Sequence, residues 1–240
     1  MTIYFSRGPL DGSTPIHLYS GTRAASTGPF TGIAPLNGTA TAGGEDRPTL
    51  TADGLTMLMT IFTDSGLGID MAVATRTSAA ATFSMPVPVA AINTAALDLS
   101  PWISEDGLTL YFSSSRAGSP DIFKATRANT SGPFGAPVSV GELNTNAEEY
   151  APVLSKDGLE IFFASTRDQD GMTPAREDIF HATRSTPSDG FGAPALVTEL
   201  SGPTSYDSPS WVSPDRCRLM FTSDRTDGNG GSDIWIATRP

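Results

Sequence analysis

The sequence predicts an all-β chain folded as a single five-bladed β-propeller of four-stranded antiparallel blades, residues 1–240, with its first and last blades incomplete. Three observations carry this. An apolar triplet returns about every 53 residues: Ile3-Tyr4-Phe5, Met57-Leu58-Met59, Leu110-Tyr111-Phe112, Ile161-Phe162-Phe163 and Leu219-Met220-Phe221. Each leads to a second short run ending in Thr-Arg: "IHLYSGTR", "DMAVATR", "DIFKATR", "DIFHATR" and "DIWIATR". No stretch shows helical periodicity, so each period reads as a group of short strands separated by Gly, Pro, Ser and Asp.

Within a period the elements follow in order. Strand A precedes the triplet and carries a proline followed by a turn: Pro48 with "TADG", Pro101 with "SEDG", Pro152 with "SKDG" and Pro209 with "SPDR". The Asp-Gly pairs predict tight two-residue hairpins from A to B, because both central residues of such a turn must tolerate positive φ. Strand B is the triplet run and strand C the run ending in Thr-Arg. An aromatic follows at fixed offset in four units (Phe30, Phe83, Phe134, Phe191), and the Gly/Pro-rich segment after it is strand D. Repeats that echo each other in groups of four strands are the signature of a propeller, and stacked blades bury the triplets, the aromatics and Trp102 or Trp211 between them. The units fall near 1–44, 45–97, 98–147, 148–205 and 206–240, with 18 strands. The first unit begins at strand B and the last stops after strand C; a strand A upstream of Met1 is expected.

Composition bounds the partners. The net charge is −11 and the pI about 4.5, with Lys124 and Lys156 the only lysines, which argues against nucleic acid and against an anionic membrane surface. No apolar run reaches the ~20 residues that cross a bilayer. Cys217 is the only cysteine, so neither an intrachain disulfide nor a cysteine-based zinc site can form; in "DRCRLMF" it reads as a partly buried structural thiol. The low-lysine, Ser/Thr/Gly-rich composition fits a bacterial envelope or exported protein, and a monomer is expected. The two histidines, His17 and His181, lie on strands C of different blades, so no Ser/His/Asp or Cys/His arrangement is indicated.

Two acidic sets mark the face where loops D–A and B–C emerge. The first stands before or at each strand A: Glu45, Asp46, Asp98, Glu148, Glu149 and Asp207, read together as the ligand-binding residues. The second pairs Arg116 with Asp121, Arg167 with Asp178 and Arg225 with Asp233, read as loop-closing charge-assisted bonds because they recur. Converging carboxylates suit Ca²⁺, a cationic peptide group, or the two carboxylates of a glycosidase. "DRTDGNGGSD" offers a Ca²⁺ loop through Asp227, Asn229 and Asp233, without the terminal bidentate Glu of an EF-hand; a Gly-rich hairpin is the competing reading. "RDQDGMTPARED" lengthens another B–C loop.

The repeat resembles the WD40-like unit of TolB-type propellers, Pro-x-x-Ser-x-Asp-Gly, apolar strand, Ser-x-Arg, Gly, Asp-Ile. Pro101, Ser104, Asp106, Gly107, Arg116, Gly118, Asp121 and Ile122 match it, as do Pro152, Ser155, Asp157, Gly158, Arg167, Gly171, Asp178 and Ile179. Pro209, Ser213, Asp215, Arg225, Gly228, Asp233 and Ile234 match with Arg216 in place of the turn glycine, and the unit at 48–76 has Thr63 where arginine is expected. The resemblance implies the fold and a periplasmic or extracellular setting. The functional expectation is non-catalytic binding of a protein, peptide or glycan at the channel mouth. The alternatives are a glycoside-active enzyme using two of Asp98, Glu149 and Asp207, and a scaffold for a partner domain.

Overall fold

The computed structural model describes residues 1–8, 15–25, 28–63, 68–167, 176–202 and 204–239. Gly171 and most of the longer B–C loop, 168–175, lie outside the described residues. Among the described residues, eighteen strands form five antiparallel sheets arranged as a five-bladed propeller. Blade 1 holds β1 (Thr2–Arg7), β2 (His17–Thr22) and β3 (Thr31–Pro35). Blade 2 holds β4 (Glu45–Leu50), β5 (Thr56–Phe62), β6 (Ile69–Thr75) and β7 (Val87–Pro88). Blade 3 holds β8 (Asp98–Ile103), β9 (Thr109–Ser114), β10 (Asp121–Thr126) and β11 (Val138–Ser139). Blade 4 holds β12 (Glu149–Leu154), β13 (Glu160–Ser165), β14 (Asp178–Thr183) and β15 (Ala195–Leu196). Blade 5 holds β16 (Asp207–Val212), β17 (Arg218–Ser223) and β18 (Asp233–Thr238). Blades 1 and 5 have three strands each, as the sequence predicts.

Strand alternation divides each triplet between two blade interfaces. Leu110 and Phe112 pack back onto blade 2, with Leu58, Met71 and Ile103, whereas Tyr111 faces blade 4 with Ile122, Leu154 and Phe163. Among the described residues four apolar cores result, between blades 1–2, 2–3, 3–4 and 4–5. Strands D are only two residues long in blades 2–4, because the aromatic before each one does the anchoring. Phe83, Phe134 and Phe191 are buried, and each lies 4.4–4.5 Å beneath the guanidinium of the Thr-Arg arginine of its own blade (Arg76, Arg127, Arg184). The same arginines donate through Nε, at 2.7 Å, to the carbonyl of the A–B turn glycine (Gly54, Gly107, Gly158). One side chain thus ties three strands of a blade.

The A–B turns differ from the two-residue hairpins expected. Only the glycine has positive φ (Gly54 66°, Gly107 71°, Gly158 68°), and its N–H bonds back to the residue three before it. The cause is the aspartate: Asp106 Oδ1 accepts from the Ser104 hydroxyl and from the Leu108 N–H at 2.9 Å, which holds a wider turn with a left-handed closing residue. Arg216 adopts that conformation at φ 59° without glycine's freedom. Cys217 follows it in the turn and is exposed, not partly buried, because strand β17 begins one residue later.

Glycine is demanded more strictly just before β4. A Cβ on Gly43 would stand 1.8 Å from the Phe62 carbonyl oxygen, a backbone atom that cannot swing away. Gly43→Ala is expected to destabilise the protein by more than about 2 kcal/mol in urea unfolding.

Candidate functional site

The first strands of blades 2–5, β4, β8, β12 and β16, pack on one another in sequence and line the central channel. Three of them break their ladder at the residue before the proline: the register shifts between Asp46 and Thr49, Leu99 and Trp102, and Tyr150 and Val153. Arg47, Ser100 and Ala151 take positive φ there, at 50–54°. A non-glycine residue in that region costs about 1 kcal/mol, and the bulge it makes re-aims the side chains at the strand start.

This pleat separates the six predicted binding residues into two groups. Glu45, Asp98, Glu149 and Asp207, the first residue of each strand, are fully buried. Each is held by the turn before it: Thr94 N–H and hydroxyl bond Asp98 at 2.7 and 2.8 Å, and Thr145 bonds Glu149 in the same way at 3.0 and 2.7 Å. Each of the last three also receives the B–C arginine of its own blade, Arg116 to Asp98 at 2.6 Å, Arg167 to Glu149 at 3.1 Å and Arg225 to Asp207 at 2.7 Å. The expected partners Asp121, Asp178 and Asp233 are therefore not those of the arginines. Register alone does not choose between them: Ser114, Ser165 and Ser223, two residues before each arginine, stand opposite Asp98, Glu149 and Asp207 on one side and Asp121, Asp178 and Asp233 on the other, and the arginine pairs with the strand-A acid. In blade 2 the place of the arginine is taken by a neighbour's histidine, His17 Nδ1 lying 3.0 Å from Glu45 Oε2.

Strand C's leading aspartates face these buried acids from the preceding blade. Burial and the Asp98 charge raise the pKa of Asp70; burial and Glu149 do the same to Asp121, whose Oδ1 has no hydrogen-bond partner. Asp233 instead accepts the Asn229 N–H at 2.6 Å, so its carboxylate closes the Gly-rich loop proposed for Ca²⁺. No group of three or more His, Cys, Asp or Glu side chains placed to hold a metal occurs among the described residues.

Asp46 and Glu148, the second group, turn to the mouth. Asp46 is half-buried, accepting from the Ser6 hydroxyl and from the Arg47 N–H at 2.7 Å. Arg47 crosses the channel, donating from Nη1 to Ser208 Oγ of β16 at 3.1 Å. Glu148 is exposed and accepts the Tyr150 hydroxyl at 3.0 Å. Burial, then that hydrogen bond and the Glu148 charge, push the Tyr150 phenol well above its ordinary pKa.

A residue that sequence reasoning missed completes the cluster. Burial raises the pKa of Glu177 and the Glu148 charge adds to it, against the pull of Arg47. The signal was present. Glu177 precedes the strand-C aspartate at a position held by Ile69, Pro120 and Ser232 in other blades, so it is a carboxylate that breaks the repeat. The mouth therefore brings together a carboxyl of raised pKa, an exposed carboxyl, a phenol and a guanidinium. Two carboxyls in different surroundings, one desolvated and one in water, are what acid–base chemistry requires.

No protein-family model and no curated protein matches the chain. Its fold is similar to solved structures. TolB from Acinetobacter baumannii aligns with TM-score 0.56 at 13% identity, over 99% of this chain and 50% of its own, so the chain spans half of that protein's length. The native arabinanase of Bacillus subtilis aligns with TM-score 0.62 at 11% identity, over 99% of this chain and 89% of its own. The periplasmic gluconolactonase of Pseudomonas aeruginosa gives 0.51 at 14%, over 100% and 69%. Proteins named for action on sugars thus stand beside TolB, and the expectation of a non-catalytic binding propeller is corrected: the fold does not speak for binding alone. What these likenesses establish is architecture: the chain is a five-bladed β-propeller whose fold is similar to that of TolB.

Proposed function

We propose that the protein is a glycoside-active enzyme of the periplasm or cell exterior that works at the channel mouth. The observation that carries this is the pair of carboxyls at the mouth, Glu177 with its pKa raised by burial and Glu148 exposed to solvent. Glu177 keeps its proton beyond the ordinary carboxylate range and serves as general acid to the leaving oxygen of a glycosidic bond. Glu148 is solvated and serves as the second carboxylate, activating water or meeting the sugar directly. Arg47, Asp46 and Tyr150 supply hydrogen bonds to sugar hydroxyls. The buried acids Asp98, Glu149 and Asp207 hold the strands that carry these groups.

The test is release of reducing ends from a panel of polysaccharides and aryl glycosides. Glu177→Gln is expected to lower kcat by about 10²–10⁴-fold with glycan binding retained. Activity should fall as pH rises through the raised pKa of Glu177. Stability follows the same group: the folded chain keeps this proton after the unfolded chain has lost it. Its contribution is therefore fully present below the ordinary Glu pKa and lost as pH rises through the raised one. Glu177→Gln should then be at least as stable as the parent at neutral pH while inactive. Turnover unchanged by the substitution, or no turnover of any glycoside, sinks the reading.

A further inference from the structure

The central residue of each apolar triplet fills the interface with the following blade. In blades 1, 3 and 4 it is an aromatic, Tyr4, Tyr111 and Phe162; in blade 2 it is Leu58. The two tyrosines also bond across the interface. The Thr-Arg arginine of the following blade donates to the phenol oxygen, Arg76 Nη2 to Tyr4 at 3.2 Å and Arg184 Nη1 to Tyr111 at 3.4 Å. Arg127 is the same arginine facing Leu58. It donates through Nε to the Gly107 carbonyl and lies over Phe134, and its Nη groups have no acceptor among the described residues.

The rim of this interface changes in step with its centre. Where blade 3 meets blade 4, Glu142 Oε1 accepts the Phe191 N–H at 3.0 Å. Where blade 1 meets blade 2, Gly38 lies so near the Phe83 carbonyl that a Cβ would collide with it, and the backbones themselves close the rim. Between blades 2 and 3 the position belongs to Ala91, too short to reach across, and the Phe134 N–H has no acceptor among the described residues. Val73 likewise stands where Lys124 lies over the Tyr111 ring at 5.7 Å.

These replacements leave a cavity of about 250 Å³, lined by Leu58, Val73, Val89 and Ala91 of blade 2 and by Arg127 and Phe134 of blade 3. It lies at the Thr-Arg ends of strands C, a strand's length from the mouth carboxyls Glu148 and Glu177, and Ala91 at its rim is exposed. A cavity of about 150 Å³ holds benzene, so this one has room for a ring with a short substituent. Its walls are mostly apolar, and two donors stand at it without acceptors.

We propose that this cavity is a second binding site, for a small aromatic carboxylic acid of about the size of a hydroxycinnamate. The interface one blade on shows how such a molecule is held. Its ring takes the room of Tyr111, and its carboxylate accepts from Arg127 and the Phe134 N–H, as the phenol and the Glu142 carboxylate accept from Arg184 and Phe191. Burial raises the pKa of the Tyr111 phenol and the Glu142 charge adds to it, so those two places lie within reach of one small molecule. Charge selects the acid over a neutral ring. Arg127 forms no ion pair with a described residue, and a hydrogen bond from guanidinium to carboxylate is roughly twice as strong as one between neutral groups.

The experiment titrates the intact protein with 4-hydroxycinnamate by calorimetry, beside its methyl ester and p-cresol. Saturable 1:1 binding on the order of 10⁻⁴ M is expected for the acid, and binding about tenfold weaker for the two uncharged probes. Two substitutions give the site what its neighbours already carry. Leu58→Tyr should abolish binding and raise the melting temperature by a few degrees, because Arg127 regains a phenol. Ala91→Glu, at an exposed position, should abolish binding by placing a carboxylate on the Phe134 N–H. Absence of saturable binding at about 10 mM acid, well above that affinity, overturns the proposal. So does binding unchanged in Ala91→Glu, or in a Leu58→Tyr chain that melts cooperatively. An ester or cresol that binds as tightly as the acid overturns it too, leaving a site for a neutral ring.

Discussion

Arg167→Ala is expected to lower the free energy of unfolding by about 3–5 kcal/mol, the cost of stranding a buried charge. The guanidinium reaches Glu149 at 3.1 Å, Ser165 Oγ at 3.0 Å and the Leu143 carbonyl at 2.6 Å. It also lies over the rings of Phe163 and Phe180, at 5.2 and 4.6 Å. Its removal leaves a wholly buried Glu149 with hydroxyl and N–H donors only, and opens the B–C end of blade 4. A double variant, Arg167→Met with Glu149→Leu, separates charge from packing. It should recover much of the loss, since two apolar groups leave no ion behind. Denaturant unfolding of wild type, single and double variants checks this; a double variant as unstable as the single places the energy in packing and cation–π contacts.

Phe163→Ala is expected to cost about 3–5 kcal/mol as well, by a different route. Its ring is 0% exposed in the core between blades 3 and 4, stacked on Phe180 with centroids 5.9 Å apart. Deletion forfeits the transfer energy of the ring and leaves a cavity between two sheets whose backbones are fixed by their ladders. Phe5 is the same residue of the repeat in blade 1, and it is only half-buried. Phe5→Ala should therefore cost well under half as much in the same urea titration. Equal losses would mean that blades 5 and 1 pack together in solution.

The repeat made the fold legible because one physical unit is written five times, and each copy corrects the reading of the others. The triplets, the Asp-Gly turns and the Thr-Arg ends all mark strand boundaries that the structure reproduces. Finer geometry was hidden for definite reasons. Turn type depended on one aspartate side chain competing for the backbone, which composition does not reveal. The arginine partners depended on side-chain direction: Ser114 stands between Asp98 and Asp121, yet Arg116 pairs with Asp98, while Asp121 feels the Glu149 charge of the next blade. In the acidic set, place was legible and direction was not. Glu148 and Glu149 are neighbours in sequence, yet a pleat sends one to solvent and the other into an ion pair. Glu177 was obscured by the opposite bias, since attention to what recurs passes over the residue that does not.

Among the described residues no apolar core joins blades 5 and 1, and this changes how the molecule distributes its cohesion. A closed ring gives every module two neighbours, so no module is terminal. Here the modules form a bent row with four couplings, and stability becomes a sum over adjacent pairs. Blade 3 is doubly supported, whereas blades 1 and 5 each lean on one companion. Local opening then starts at the two ends of the row and travels inward, and anything that bridges those ends converts a row with two loose ends into a circle with none.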